Sequence, residues 1–184
     1  VSAIMSDVQR RAEISAHNIA NVATPAYRAR HGFSETMASA SGLVSVVSGA
    51  AFDLRPGVLS ETRNPFDVAI AGDGFFRLVA DTGDRYTRNG QFARDEDGRL
   101  VGLGGWPVQA ADGGDIRLSE AAFDIGPDGA IIQDGRRIAR LDVVVFDAAT
   151  ARLEADGSLS SDDANVRPLD DATVRQGYLE GSNV

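Results

Sequence analysis

The sequence predicts a mainly β fold: a hairpin-rich β domain with an N-terminal α-helix and the start of a C-terminal helix. Three observations carry that prediction. Twenty glycines and 27 acidic residues accompany only 7% aromatics among 184 residues, the composition of a turn-rich chain with a lean core. From Leu54 onward, strand-like segments alternate with turn signals. The stretch from Ser2 to Val22 lacks both Gly and Pro and carries a helical period. The length suits one domain with a proper core plus an appendage.

In that helical stretch, Ile4, Val8, Arg11, Ser15, Ile19 and Val22 recur at spacings of three and four, one stripe of a helix. Arg11 and Ser15 interrupt the stripe, so the helix is too narrow to be stable alone and calls for a partner. Pro25 ends it, because proline drives Thr24 out of the α region and has no N–H to donate. Asn18 and Asn21 bond readily to nearby backbone and suit a helix end. Residues 1–31 are therefore a helix and a Thr-Pro joint.

Residues 32–60 are rich in Ser, Ala and Gly with short apolar runs and read as an extended connector. The β domain follows over 61–177, with Asp-Gly pairs at Asp73, Asp97, Asp112, Asp128, Asp134 and Asp156 marking type I′ hairpin corners. "DVVVFD" is apolar on both faces and reads as central, whereas "YTRNGQFARD" alternates and reads as half-exposed. "RQGYLEGSNV" stops where polar and capping residues open a helix, so 178–184 are read as its start, with both chain ends trimmed or disordered.

A net charge of -9 argues against nucleic acid, which needs a basic stripe, and equally against anionic membrane surfaces. No run approaches the roughly 18 apolar residues of a membrane helix, and no secretory signal opens the chain, so composition by itself suggests the cytoplasm. Zero cysteines removes disulfides and thiol chemistry but fits any compartment.

Chemistry is hard to place. The only imidazoles, His17 and His31, flank the Pro25 break and read as solvent or interface residues. "DEDG" at 95–98 opens like a calcium loop, but Gly104 stands where the bidentate Glu is required. "GDGFF" lacks the third glycine and the following helix of a dinucleotide site. No nucleophile elbow is present. Phe75, Phe76, Tyr86, Phe92 and Trp106 offer a sugar platform but serve better as core. No catalytic residue, metal ligand or cofactor is expected.

One resemblance covers nearly the whole chain. "SAHNIANVATPAYRA" resembles the N-terminal signature of flagellar rod and hook axial proteins: Asn18, Ile19, Ala20, Asn21, Thr24, Pro25 and Tyr27 match, and Ala26 stands where the family usually has Gly. "NPFDVAIAGDGFFRL", "YTRNGQFARDEDGRLVGLGGWPV" and "VRQGYLEGSNV" resemble its middle and C-terminal blocks. The short acidic linker "SLSSDDANVRPLDDAT" places the chain nearer the proximal-rod members than the distal-rod or hook members.

The resemblance implies an all-β middle domain with terminal helices packed as the inner layer of a hollow helical tube. The stripe would find its partner in a C-terminal helix beginning beyond Val184 and in neighbouring subunits. Ile4, Val8, Ile19 and Val22 would carry axial packing, and Asn18, Asn21, Thr24 and Pro25 would fix the joint. It further implies a non-catalytic structural subunit of the basal-body rod that transmits torque to the hook. Its partners would be other rod proteins, further copies and the flagellar type III export apparatus. Export without a cleaved signal would place it across the periplasm. The rival readings are a secreted β-sandwich module for carbohydrate or calcium, and an acid-base hydrolase built on turn carboxylates.

Overall fold

In the computed structural model, residues 2–27, 29–38, 44–52, 56–147, 150–154, 156–161, 164 and 166–183 are described; for 2–7, 10, 32–38, 44–52 and 103 this means backbone alone. The chain opens with α1 (Ser2–Ala20), followed by β1 (Arg30–Ala38), β2 (Val44–Phe52), β3 (Leu59–Glu61), β4 (Val68–Ala71), β5 (Phe75–Ala80) and β6 (Gly83–Thr87). Next come β7 (Ala93–Arg94), β8 (Leu100–Val101), β9 (Phe123–Ile125), β10 (Ala130–Gln133), β11 (Arg136–Arg140) and β12 (Val143–Val145). The last strands are β13 (Arg152–Leu153), β14 (Leu159–Ser160), β15 (Arg167–Pro168), β16 (Thr173–Gln176) and β17 (Tyr178–Glu180). The mainly β expectation holds, with one α-helix, at the N-terminus, among the described residues.

Every described strand pairing is antiparallel. The largest sheet has six strands in the order β13-β14-β6-β5-β12-β15, and a three-stranded sheet runs β11-β10-β9. Two apolar cores fill the domain. The larger gathers Ile70, Phe76, Leu78, Leu100, Ile116 and Ile131 among others, with Phe76 and Phe92 edge to face at 5.0 Å. The smaller, under the six-stranded sheet, holds Phe75, Tyr86, Val144 and Leu159. "DVVVFD" is central, as its two-faced apolarity predicts: β12 lies between β5 and β15.

Four expectations change. The 32–60 connector is in large part a hairpin, with β1 and β2 in register from Arg30 opposite Phe52 to Ala38 opposite Val44. The Ser, Ala and Gly that suggested a linker do not prevent pairing, because each strand supplies the other's ladder partners; residues 39–43 lie outside the described set. The predicted C-terminal helix start is instead strand β17, paired with β3. Its capping-type residue Asn183 bonds across the chain to Ala29, so a tertiary partner replaces the local helix. "YTRNGQFARD" meets its half-exposed expectation only in part: Gln91 and Ala93 are exposed around buried Phe92, but Tyr86, Thr87 and Arg88 are all buried.

Of the six Asp-Gly pairs, only Asp134-Gly135 shows the two positive φ angles of a type I′ turn, 52° and 72°. At Asp97, Asp112, Asp128 and Asp156 the glycine alone is left-handed, so these corners are longer turns that end on the glycine.

Candidate functional site

The Thr-Pro joint occupies the place where α1, the β1–β2 hairpin and β17 meet. Pro25 enters a turn closed by the Tyr27 N–H on the Thr24 carbonyl at 3.2 Å. Proline at the second position and a positive φ of 56° at Ala26 make this a type II turn, whose third position favours glycine. Ala26 therefore holds a left-handed conformation at the one position where the resemblance departs, and the turn survives the departure at a cost of about 1–2 kcal/mol.

Asn18 acts as a strand partner built from a side chain. Its Oδ1 accepts the Arg30 N–H at 2.9 Å and the Tyr27 hydroxyl at 3.0 Å, while its Nδ2 donates to the Arg30 carbonyl at 2.9 Å. Asn21 caps the helix end by donating to the His17 carbonyl at 2.8 Å, and Thr24 donates to the Asn21 Oδ1 at 3.2 Å. His17 stacks on Tyr27 and its Nδ1 lies 2.8 Å from the hydroxyl. Burial pushes the Tyr27 phenol above its usual range, against the pull of Arg30, which keeps it a donor.

From the far end of the chain, Glu180 ties the joint to the β domain. Its backbone carbonyl accepts the Ala26 N–H at 2.8 Å, Oε1 accepts the Gly57 N–H at 2.8 Å, and Oε2 accepts Arg88 Nε at 2.7 Å. The Arg88 and Glu180 side chains are 2% and 0% exposed. Arg88 also donates to the carbonyls of Gly72 and Gly74, both at 2.7 Å, which satisfies the guanidinium in a dry site. Gly57 is required, since a Cβ there would stand 2.3 Å from the Gly181 carbonyl oxygen. Asn183 completes the clasp, accepting the Ala29 N–H at 2.7 Å.

The stripe residues sit elsewhere. Val8, Ile19 and Val22 are 63%, 70% and 56% exposed. The half-covered side of the helix is Ile14, Asn18 and Asn21, roughly 100° around the axis from the stripe. The Ile4 side chain lies outside the described set. The structure thus brings Asn18, Asn21, Thr24 and Pro25 together and leaves Val8, Ile19 and Val22 facing solvent. Arg88, Glu180 and Asn183 were missed as site residues. The available signal was a lone Arg and a lone Glu inside two otherwise uncharged blocks, "YTRNGQF" and "GYLEGSNV".

The joint also walls a cleft of about 330 Å³ between His17, Asn21 and Pro25, the run Tyr86–Asn89, and the turn joining β13 to β14. The residues of the rival readings are engaged otherwise. Phe75, Phe76, Tyr86 and Phe92 are buried, and Asp95 of the calcium-like "DEDG" holds the Arg99 N–H and Nε at 2.7 and 2.8 Å.

The family model "Flagellar hook protein FlgE/F/G D1 domain" matches residues 69–135. The flagellar basal-body rod protein FlgF of Caulobacter vibrioides is 31% identical over 96% of this chain and 78% of its own length. This chain belongs to the flagellar basal-body rod protein family. FlgF of Rhizobium meliloti is 36% identical over 96% of this chain and 77% of that protein. The rod protein FlgG of Bacillus subtilis is 31% identical over 98% and 81%. Of the four blocks that carry the family resemblance, three supply residues to the joint although they lie far apart in the sequence: Asn18, Asn21, Thr24 and Pro25 from the first, Arg88 from the block that opens at Tyr86, and Glu180 and Asn183 from the C-terminal one.

Proposed function

We propose that this chain works as a structural subunit of the flagellar basal-body rod by packing the exposed stripe of α1 against neighbouring subunits. The joint holds that helix at a fixed attitude to the β domain. The observation that carries the reading is the exposure of Val8, Ile19 and Val22 on a helix whose other side is anchored by Asn18. Burying such side chains contributes about 1.5–3 kcal/mol each, which turns a helix too narrow to stand alone into an assembly element.

The contacts repeat head to tail without closing, as a tube requires, and they transmit torque toward the hook. Ile4 belongs to the same packing face by its spacing. The proximal segment of the rod, FlgF before FlgG, is its place, supported by the short acidic linker. Export through the flagellar type III apparatus into the periplasm-spanning rod suits a chain with no cysteine to misoxidise. No catalytic step or cofactor enters; the packing faces are the functional site.

The test is deletion of the gene, with swimming scored and isolated basal bodies imaged by electron microscopy. A rod that is missing or stops early supports the reading, and the stopping point assigns the segment. Complete flagella in the deletion strain, with no paralogue substituting, overturn it.

A further inference from the structure

The cleft beside the joint is lined by two carboxylates that have no arginine within 4.0 Å among the described residues. Glu154 and Asp156 line it, and their described bonds are to Ser160 at 2.6 Å and to Ser158 at 2.6 and 2.8 Å. Arg30 also lines the cleft, as does Arg88, which spends its charge on Glu180. The floor is apolar, formed by Phe75, Leu153 and Leu159. Its volume of about 330 Å³ falls in the usual range for small binding sites, about 300–1,000 Å³.

A matching knob exists on the same molecule. All 18 Lys and Arg positions of the chain are arginines, and among the described residues Arg63, Arg77, Arg88, Arg94, Arg99, Arg117 and Arg140 lie within 4.0 Å of a carboxylate. Among the described residues, exposed Arg136 and Arg137 have no such partner, nor do Arg152, Arg167 and Arg175, and Arg136 and Arg137 are adjacent in sequence. They follow the type I′ turn of the β10–β11 hairpin, beside Ile132 and Ile138 at 39% and 41% exposure. Ile138 is pushed outward by the register shift that pairs Ile131 with Ala139 and Ile132 with Arg137. Two guanidiniums beside exposed isoleucines make the composition of an interface anchor, since arginine supplies a fixed fork for a carboxylate and the isoleucines supply area. A blunted sheet edge would explain the charge alone, but not the two isoleucines displayed with it.

Sheet order keeps the hairpin from reaching its own cleft. Arg140 of β11 binds Asp170, just past β15, at one edge of the six-stranded sheet, whereas the cleft is built on β13 and β14 at the opposite edge. Five strand spacings separate those edges, roughly 24 Å. We propose that the Arg136–Arg137–Ile138 hairpin of one copy docks into the Glu154/Asp156 cleft of the next, a lateral contact between β domains. The contact is heterologous, so it repeats along a row of copies. It rests on the rod-subunit reading and adds to the helix packing a second, charge-directed contact.

These 184 residues hold no cysteine, which suits disulfide trapping. The full-length chain carrying Ile138→Cys with Asp156→Cys, and each single variant, is expressed in place of the native gene after the singles are confirmed to swim. Basal bodies are then oxidised and resolved on non-reducing gels. A ladder of multiples of this chain in the double variant, absent from both singles, is expected. Arg137→Glu should cut the ladder by about tenfold, and adding Glu154→Arg should restore it. Double-variant chain present in basal bodies but remaining monomeric overturns the docking while leaving the rod reading intact, and so does a band containing a different protein. Wild-type chain missing from basal bodies overturns both readings.

Discussion

The β domain and the helix treat their apolar residues in opposite ways. Around Phe76 and Ile131 the domain closes on itself, with both side chains fully buried, whereas α1 and the turn that follows it leave Val8, Ile19 and Val22 in solvent. The same type of side chain is structural in one region and unspent in the other. The lesson is that a local stripe becomes core only when another element of the same chain covers it, and here the elements nearest the helix engage its Asn18 side instead.

The boundary between the regions is the best place to break the comparison. Glu180→Ala strands the Arg88 guanidinium in a buried site and is expected to cost about 3–5 kcal/mol in urea unfolding of the β domain. A loss confined to the joint, with the domain midpoint unmoved, would show that Glu180 serves the helix alone. Asn18→Ala removes three bonds to Arg30 and Tyr27 and is expected to cost about 1–3 kcal/mol locally. The readout is faster amide exchange at Arg30 with unchanged protection at Ile131; equal loosening of both would erase the distinction between the regions.

Ala26→Gly works in the other direction. Relief of the left-handed alanine is offset in part by the greater freedom of glycine in the unfolded chain, leaving a gain below about 1 kcal/mol. A lowered melting temperature would contradict the strain assigned to this turn.

Asp142 sharpens the β-domain side through pH. Burial holds its carboxyl above the usual range, against the pull of Arg77 3.5 Å away. The folded chain thus binds that proton more tightly than the unfolded chain, so ionisation of Asp142 weakens folding as pH rises through its folded pKa. Asp142→Asn should therefore gain stability relative to wild type at neutral pH, and the gap should close in acid once the wild-type carboxyl is protonated. Urea midpoints at the two pH values check the sign.

The smallest effect on stability belongs to Ile19→Asp. At 70% exposure the change should stay within about 0.5 kcal/mol, yet it should abolish incorporation into basal bodies. Swimming cells carrying this variant would break the division of roles between helix and domain.

Much of this was legible along the chain. The helix, the turn-rich domain and the central position of "DVVVFD" follow from local chemistry, period and apolarity on both faces, whereas the helix stops at Ala20, before the Pro25 that was expected to end it, and Pro25 instead enters the type II turn of the joint. The β1–β2 hairpin was not, because its Ser, Ala and Gly look like a linker until the partner strand is known. Within the site, Asn18 and Asn21 were legible as helix-end residues, while Arg88 and Glu180 were not. A pair separated by 92 positions leaves no periodic trace.

The sequence by itself determined the mainly β class, the presence of the N-terminal helix and the family, since each depends on residues within a few positions of one another or on ordered motifs. Only the tertiary structure decided that residues 178–180 are a strand, that Tyr86, Thr87 and Arg88 lie inside, and that the motif blocks converge on one joint. Those outcomes depend on which distant segment supplies a hydrogen-bond or charge partner. That choice is settled by the packing of the whole chain.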